Sequence, residues 1–351
     1  MKKLAVLFIF LVFGTSIAGI WGVWNYLINQ PASLKGEEVV FEIEPGSAFV
    51  TIAKNLQSKG LIKNAGMFRI YSRITRQDSK VKTGEYLLNT NMRPSDILVI
   101  ISSGKSIERK ITISEGLNIF EIAELFEAGG LCSKSLFLEK VKNKELIKKL
   151  LGEEVNSLEG YLYPETYSYT KYTLADDLIE MMVKSALIKF KDIEDQAAVV
   201  GFKRHQVFTL ASIVEKETGA PEERPLISSV FHNRLRKNML LQTDPTIIYG
   251  KAIKYGKLEI SITKEDIHAP TEYNTYVVKG LPPGPIANPG IEALKAAVNP
   301  AQSDYLFFVS KNDGTHTFTQ EYKDHQKAVK DFQQNKKARE GKSWRDLNKR
   351  K

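Results

Sequence analysis

Two glutamates, Glu215 and Glu217, close the segment Thr209-Leu-Ala-Ser-Ile-Val-Glu-Lys-Glu-Thr-Gly219. A carboxyl group at the end of a helix faces the negative end of the helix dipole, and partial burial adds a desolvation cost. Both effects favour the protonated acid, which is the form that a general acid needs near neutral pH. The alternative is a solvated helix end with two ordinary surface glutamates, and this stretch alone does not decide between the two.

The element that must position these carboxyl groups is a helix over residues 205–218. Its apolar residues follow the i, i+3, i+4, i+7 spacing: Val207, Leu210, Ala211 and Val214. Gly219 suits a left-handed C-terminal cap, and Pro221 cannot continue the helix. The flanking sequence predicts further helices at residues 174–190, 223–237 and 291–298, and a turn at residues 240–246. Asn312-Asp-Gly314 predicts a hairpin between residues 305–310 and 316–319.

The bulk composition is that of a globular protein. The chain has 351 residues, of which 42% are hydrophobic and 26% charged, and this length suits two or three domains. The net charge is +9, and the tail 336–351 carries eight basic and two acidic residues, which gives +6. Such a tail could touch an anionic polymer or a membrane surface, or it could be a solvated end.

The sequence contains few residues in patterns that could bind a metal or a cofactor. A lone cysteine, Cys132, excludes an intramolecular disulfide framework and a Cys-rich zinc site. The five histidines show no paired spacing, and no glycine-rich phosphate loop is present. We therefore expect neither a metal nor a cofactor.

The N-terminus predicts a membrane anchor. Lys2 and Lys3 precede an uncharged run over residues 4–34, whose apolar part reaches residue 27 and suffices for the roughly 20 residues that cross a bilayer. The two lysines would stay in the cytoplasm, and three aromatic residues would lie at the outer interface: Trp21, Trp24 and Tyr26. A cleaved signal peptide ending at Ala18 is the alternative, but the apolar run continues well beyond Ala18.

An internal repeat follows the anchor. Ile43-Glu-Pro-Gly46 recurs as Ile113-Ser-Glu-Gly116, and Gly60-Leu61 recurs as Gly130-Leu131, in each case 70 positions later. Each copy predicts a strand, a glycine turn and two helices. The first copy resembles a LysM-like module, a small β-α-α-β unit found in proteins that bind cell-wall glycans.

Seven segments in order carry a stronger resemblance. They are Glu159-Gly-Tyr-Leu-Tyr-Pro-Glu-Thr-Tyr167, Ala211-Ser-Ile-Val-Glu-Lys-Glu-Thr218, Phe231-His-Asn-Arg-Leu235, Leu241-Gln-Thr-Asp-Pro-Thr246, Tyr273-Asn-Thr-Tyr276, Gly280-Leu-Pro-Pro-Gly284 and His316-Thr-Phe318. Together they resemble the endolytic murein transglycosylases, the MltG or YceG-like family. The resemblance implies cleavage of peptidoglycan between N-acetylmuramic acid (MurNAc) and N-acetylglucosamine (GlcNAc) within glycan strands, leaving a 1,6-anhydro end.

The resemblance also implies which glutamate is the acid. Helical geometry leaves both open, because Glu215 and Glu217 lie about 160° apart on the helix. Lytic transglycosylases place their acid in a Glu-Ser/Thr pair at a helix end, which matches Glu217-Thr218 and not Glu215-Lys216. Glu217 is therefore the expected catalytic residue, and it would act as general acid and then as general base.

The matching loops supply the expected substrate contacts: Gln242, Tyr273, Asn274 and Tyr276. Asp244 could be a helper carboxylate, although a bond to its own backbone in the Thr-Asp-Pro-Thr turn is favoured. His316 lies in a matching segment, where a structural hydrogen bond explains it as well as catalysis does.

The expected fold class is α+β, with a single N-terminal transmembrane helix, LysM-like βααβ modules and a mixed α/β catalytic domain. We expect a cytoplasmic stub and anchor at 1–29, a linker at 30–38, a LysM-like module at 39–108, a second repeat-like connecting region at 109–157, the catalytic domain at 158–335 and a basic tail at 336–351. 

The expected partners are peptidoglycan glycan strands, the membrane and, by resemblance, wall-synthesis enzymes. Nucleic acid is not an expected partner, because the chain lacks an aromatic-basic motif. The expected location is the bacterial inner membrane, with the catalytic domain outside the cytoplasm. The alternatives are a non-catalytic LysM-type wall-binding scaffold and a hydrolytic muramidase.

Overall fold

The computed structural model describes residues 14–16, 18–19, 21–26, 28–217, 220–256, 258–259 and 261–335. None of the helices in these ranges combines the length and the apolar character that crossing a bilayer requires. The predicted anchor lies partly outside the described residues, and the basic tail 336–351 lies wholly outside them.

The chain folds into two compact units. One comprises Met1–Lys110 and Ser168–Thr173, and the other comprises Ile111–Tyr167 and Leu174–Lys351. The chain leaves the first unit within strand β3 (Arg109–Thr112) and re-enters it within strand β4 (Thr166–Tyr169). The predicted connecting region 109–157 thus falls, from Ile111 onward, in the second unit.

The first unit has the β-α-α-β order that the sequence pattern predicts. Its elements are β1 (Glu38–Ile43), α1 (Phe49–Ser58), α2 (Ala65–Ile74), β2 (Gly84–Asn89) and α3 (Pro94–Ser103). Strands β1 and β2 pair antiparallel, with Phe41 opposite Tyr86. Alternate strand residues point into one core with both α1 and α2, because side chains of a strand alternate between its faces. The relation of this unit to LysM modules stays a prediction.

The second unit begins with a copy of the same backbone pattern. Helix α4 (Ile119–Ala128) starts 70 residues after α1, as the repeat predicts. The turn glycines agree as well: φ is 76° at Gly46 and 77° at Gly116, and it is 70° at both Gly60 and Gly130. Strand β3 precedes α4 and pairs with β4, which follows two further helices, α5 (Lys134–Lys140) and α6 (Lys144–Leu151).

The remaining helices form most of the second unit. They are α7 (Ala175–Lys191), α8 (Glu194–Val199), α9 (Arg204–Glu217), α10 (Arg224–Arg236), α11 (Asp244–Tyr255), α12 (Lys264–His268), α13 (Ile291–Val298) and α14 (Tyr322–Val329). Helix α9 lies at the centre, where it packs against α10, α11 and α13, and its residues from Val207 to Val214 are all buried. Strands β5 (Phe307–Ser310) and β6 (His316–Thr319) form the predicted antiparallel hairpin.

One local prediction was wrong. The segment 240–246 is not a turn throughout, because α11 already begins at Asp244. Pro245 lies in the first turn of that helix, where a residue needs no N–H for an intrahelical bond. The described architecture is a mixed α/β fold with three two-stranded sheets, in which helices supply most of the buried core.

Candidate active site

The side chain of Glu215 is buried and hydrogen-bonded through both carboxylate oxygens. Its Oε1 accepts a hydrogen bond from Arg224 Nη2 at 2.9 Å, and its Oε2 accepts one from the backbone N–H of Gly290 at 3.1 Å. Only 6% of the Glu215 side chain is exposed. Both carboxylate oxygens are thus used to join α9 to α10 and to the start of α13, so Glu215 has a structural role.

Glu217, the last residue of α9, has different surroundings. Its side chain is half-buried, and its Oε1 accepts a hydrogen bond from the hydroxyl of Thr243. Burial raises the pKa of Glu217 to about 7; the Thr243 bond opposes this rise, the charge of Asp244 adds to it and the charge of Arg234 opposes it. The carboxyl is therefore largely protonated just below neutrality, as a general acid must be. The predicted cap at Gly219 lies outside the described residues.

A buried arginine holds the loop that carries Thr243. Arg234 is 8% exposed, and its guanidinium donates to the carbonyl oxygens of Leu306 at 2.7 Å, Leu241 at 2.8 Å and Leu240 at 3.1 Å. The same side chain lies 3.4 Å from Gln242 Oε1. A rigid fork of five N–H donors suits this set of acceptors, so Arg234 fixes the approach of the loop to Glu217.

Gln242 itself has an uncommon backbone. Its φ is +51°, in the left-handed region that costs a residue other than glycine strain energy. Its N–H donates to the carbonyl oxygen of Thr275 at 3.1 Å, and the N–H of Thr243 donates to the Thr275 hydroxyl at 3.1 Å. This bridge between the two loops leaves the Gln242 side chain exposed to solvent.

Tyr276 and Asp244 form a pair beside the acid. The Tyr276 hydroxyl donates to Asp244 Oδ1 at 2.7 Å, with Tyr276 half-buried and Asp244 exposed. Burial raises the pKa of Tyr276, and its bond to Asp244 adds to the rise. The side chain of Asp244 thus accepts a hydrogen bond from a tyrosine 32 residues away, whereas a bond to its own backbone was predicted.

Tyr273 and Asn274 lie beneath the loop. Tyr273 is 8% exposed and packs edge-on against Tyr249, with ring centroids 4.9 Å apart. Asn274 is fully buried, and its Nδ2 donates to the carbonyl oxygens of Asp266, Ile267 and Ala269. Of the four expected substrate contacts, Gln242 and Tyr276 therefore lie next to Glu217 with accessible polar groups, whereas Tyr273 and Asn274 support the loop.

A second buried carboxyl, Glu159, ties three segments together. It is 1% exposed and accepts hydrogen bonds from the N–H of Ile119 at 2.9 Å and from Asn288 Nδ2 at 2.8 Å. Asn288 Oδ1 accepts from the N–H of Leu162 at 2.8 Å. Burial raises the pKa of Glu159 to about 8, and its hydrogen bond from the N–H of Ile119 opposes the rise.

Sequence reasoning missed the roles of Arg234, Thr243 and Glu159. All three residues lie in the segments that carry the family resemblance. Their position in these segments was the only indication in the sequence that they matter to the site. Their roles depend on partners distant in the sequence. His316 has a structural partner, because its N–H and its Nδ1 lie 3.0 Å and 2.7 Å from the carboxylate oxygens of Glu223. Within the ranges that the structure describes, no cluster of three or more His, Cys, Asp or Glu side chains could hold a metal ion.

The arrangement suits acid–base chemistry on a polar substrate. One carboxyl with a pKa near 7 lies next to an amide, a phenol and a second carboxylate. The amide and the phenol can each bond to hydroxyl or acetamido groups. 

Comparison with known proteins shows the family of this chain. The family model described as "YceG-like family" matches residues 41–331. The protein named endolytic murein transglycosylase from Bacillus subtilis strain 168 is 32% identical over 309 residues, which cover 84% of each chain. The protein of that name from Streptococcus pneumoniae strain R6 is 28% identical over 364 residues, which cover 93% of this chain and 65% of that relative.

A solved structure is similar as well. The crystal structure of a yceG-like protein from Listeria monocytogenes matches with a TM-score of 0.57 and 32% sequence identity, covering 83% of this chain and 98% of the other. The fold of the described residues is therefore shared with a protein of that group.

Proposed function

Because the chain belongs to the YceG-like family, we propose that it is an endolytic murein transglycosylase, a lyase that cuts glycan strands of peptidoglycan, with Glu217 as its catalytic acid. The observation that carries the role of Glu217 is its half-buried carboxyl, with a pKa raised to about 7, beside the accessible side chains of Gln242 and Tyr276. Glu215, by contrast, has both oxygens engaged by Arg224 and Gly290.

The reaction needs one group that gives a proton and then takes one. Glu217 donates its proton to the oxygen between MurNAc and GlcNAc as the bond from that oxygen to the MurNAc anomeric carbon breaks. The carboxylate then accepts the proton of the MurNAc 6-hydroxyl, whose oxygen attacks the same anomeric carbon. The product is a 1,6-anhydro end, and no water is consumed. A single carboxyl is enough, unlike hydrolysis, which usually uses two.

The neighbouring groups would hold the sugar and stabilise the positive charge that develops on its ring. The exposed amide of Gln242 can donate to or accept from sugar hydroxyls. Asp244 lies on the accessible side of the site with Tyr276, where a negative charge favours an oxocarbenium-like transition state. 

The test is product analysis on purified glycan strands. The wild-type protein should release anhydro ends, which are one water lighter than reducing ends. Glu217→Gln should lower kcat about 10²–10⁴-fold, the usual contribution of a positioned acid. Glu215→Gln is the contrasting variant, which should lose stability through its bond to Arg224 while keeping the chemistry. Full activity in Glu217→Gln would refute the assignment.

The pH dependence provides a second readout. The acid must be protonated, so kcat should fall as pH rises through about 7, the pKa of Glu217.

Release of reducing ends instead of anhydro ends would identify a hydrolytic muramidase, for which exposed Asp244 offers a second carboxylate. Absence of cleavage by a folded protein would favour the non-catalytic wall-binding scaffold.

We also propose that the protein is a single-pass membrane protein with its catalytic unit outside the cytoplasm. The support is the sequence alone: Lys2 and Lys3 ahead of an apolar run that reaches residue 27. Peptidoglycan is then the partner on the outer side, and wall-synthesis enzymes are candidate neighbours. Mass spectrometry of the mature protein checks the anchor, because an N-terminus at Gly19 would mean a cleaved signal peptide.

A further inference from the structure

A small pocket in the second unit is lined by Lys216, the residue that precedes the acid Glu217. Its volume is about 210 Å³, below the roughly 300–1,000 Å³ of pockets for drug-sized ligands. Four aliphatic side chains form much of its wall, and two charged ones contribute to its lining: Pro245, Ile248, Leu258 and Ile286, with Lys216 and Glu121. The pocket thus has room for a small, partly apolar and partly charged group.

Two residues that line the pocket are sequence neighbours of residues in the catalytic cluster. Lys216 directly precedes Glu217 on α9, and Pro245 directly follows Asp244 at the start of α11. Successive residues of a helix point about 100° apart, so the pocket and the acid lie on neighbouring sides of the same helix end. A substituent of a sugar bound at Glu217 can therefore reach the pocket.

Lys216 gives the pocket a cation that is available to a ligand. Its side chain is exposed, and its Nζ donates to the carbonyl oxygen of Gly116 at 3.0 Å. In the part of the chain that the structure describes, no carboxylate forms an ion pair with Lys216. An ammonium group has three N–H donors, and one contact among the described residues uses only one of them. Glu121 Oε2 is engaged with the N–H of Asn118 at 3.0 Å, in the capping box of α4.

We propose that this pocket binds the start of the peptide stem on the MurNAc residue whose bond is cleaved, an inference that rests on the proposed function. The stem begins with a lactyl methyl and an alanyl methyl group, which suit the aliphatic walls. The next residue carries a carboxylate, which suits Lys216. The lactyl group is attached two carbons from the anomeric carbon, so the stem starts close to the acid.

A second sugar fits the pocket less well. Sugar sites commonly offer an exposed aromatic face. Among the described residues that line this pocket, Tyr249 is the only aromatic one, and it is 2% exposed. GlcNAc also carries no carboxylate that could pair with the ammonium group of Lys216. The stem therefore accounts for both the aliphatic walls and the charge of Lys216.

The experiment compares two substrates with the full-length protein: glycan strands that bear stems, and the same strands after an amidase has removed the stems. The measured quantity is the ratio of kcat/KM on the two, which cancels any loss that affects both equally. The wild-type ratio should be about tenfold or more in favour of stem-bearing strands, the effect expected of a hydrogen bond to a charged group. Lys216→Gln removes the charge, and Ile248→Trp fills the pocket. Each variant should bring the ratio of kcat/KM on the two substrates towards one.

Two variants control for the charge and its position. Lys216→Arg should keep most of the wild-type ratio, and Lys254→Gln, on an exposed part of α11, should leave it unchanged. Equal kcat/KM of the wild type on both substrates would overturn the stem pocket while leaving the proposed function intact. Failure to cleave either substrate would contradict the proposed function and this inference with it.

Discussion

At the scale of single residues, the two glutamates at the end of α9 differ in what surrounds them. Glu215 has an arginine and a backbone N–H as partners, and its side chain is 6% exposed. Glu217 has the neutral hydroxyl of Thr243. A carboxyl that loses contact with water is favoured in its neutral form, and burial is the largest cause of the raised pKa of Glu217. The difference in partners therefore suits one residue to structure and the other to acid catalysis.

The hydrogen bonds that Arg234 donates to three backbone carbonyl groups can be tested by mutation. Arg234→Lys keeps the positive charge but cannot reach the carbonyl oxygens of Leu240, Leu241 and Leu306 together. We expect the free energy of unfolding to fall by about 2–3 kcal/mol, since each lost bond is worth about 1 kcal/mol. Urea unfolding measures the change. Arg236→Lys, at an exposed position on the same helix, is the control, and equal stability of the two variants would contradict the role of Arg234.

At the scale of elements, the site depends on loops that meet the end of α9. The proline-rich loop over residues 281–287 approaches it through Ile286, whose N–H donates to the buried hydroxyl of Ser212 at 3.0 Å. The turn at Gly160 lies against Pro285 of the same loop. The loop over residues 281–287 is thus held by helix α9 on one side and by the turn at Gly160 on the other. These two contacts limit how far the loop can move.

The contact at Gly160 can be tested with a matched pair of variants. Gly160 has φ +85°, and a Cβ built on it would overlap the ring of Pro285. Gly201 has φ +75° but open space around it. Alanine at either position should cost about 1–2 kcal/mol for the left-handed backbone, and Gly160→Ala should lose about 1–3 kcal/mol more for the overlap. Equal thermal midpoints of the two variants would mean that the loop yields to the extra methyl group.

At the scale of the whole molecule, buried carboxyl groups link folding to pH. Glu159 has a folded-state pKa of about 8 against an ordinary value of 4.5. Below 4.5 it is protonated in both states, between 4.5 and 8 only the unfolded state releases its proton, and above 8 both states have released it. The stabilisation is therefore complete at low pH and is lost as pH rises through this window.

The expected slope can be measured. The free energy of unfolding of the wild type should include a fall of about 1.4 kcal/mol per pH unit from Glu159 between about pH 5 and pH 8. Glu159→Gln should remove this contribution to the slope, whatever its effect on stability at any one pH. Glu165→Gln, at an exposed position, should keep the wild-type slope. Identical slopes for the wild type and Glu159→Gln would show that Glu159 titrates normally in the folded protein.

Local patterns in the sequence determined much of the fold. The apolar periodicity predicted α9 within one residue at each end of its described range, and the Asn-Asp-Gly turn predicted the hairpin of β5 and β6. The 70-residue repeat predicted a glycine turn in each copy, and Gly46 and Gly116 have φ of 76° and 77°. These features depend on residues close together in the chain, so a single sequence contains the information. The start of α11 was missed, because Thr-Asp-Pro-Thr suits both a turn and the first turn of a helix.

The sequence by itself therefore determined the helix that ends in two glutamates and the segments by which the family is recognised. Only the tertiary structure decided how each carboxyl is surrounded. Thr243 is 26 residues from Glu217, and Tyr276 is 32 residues from Asp244. Burial, hydrogen bonding and neighbouring charge set a pKa, and all three depend on which distant segments meet at the end of α9.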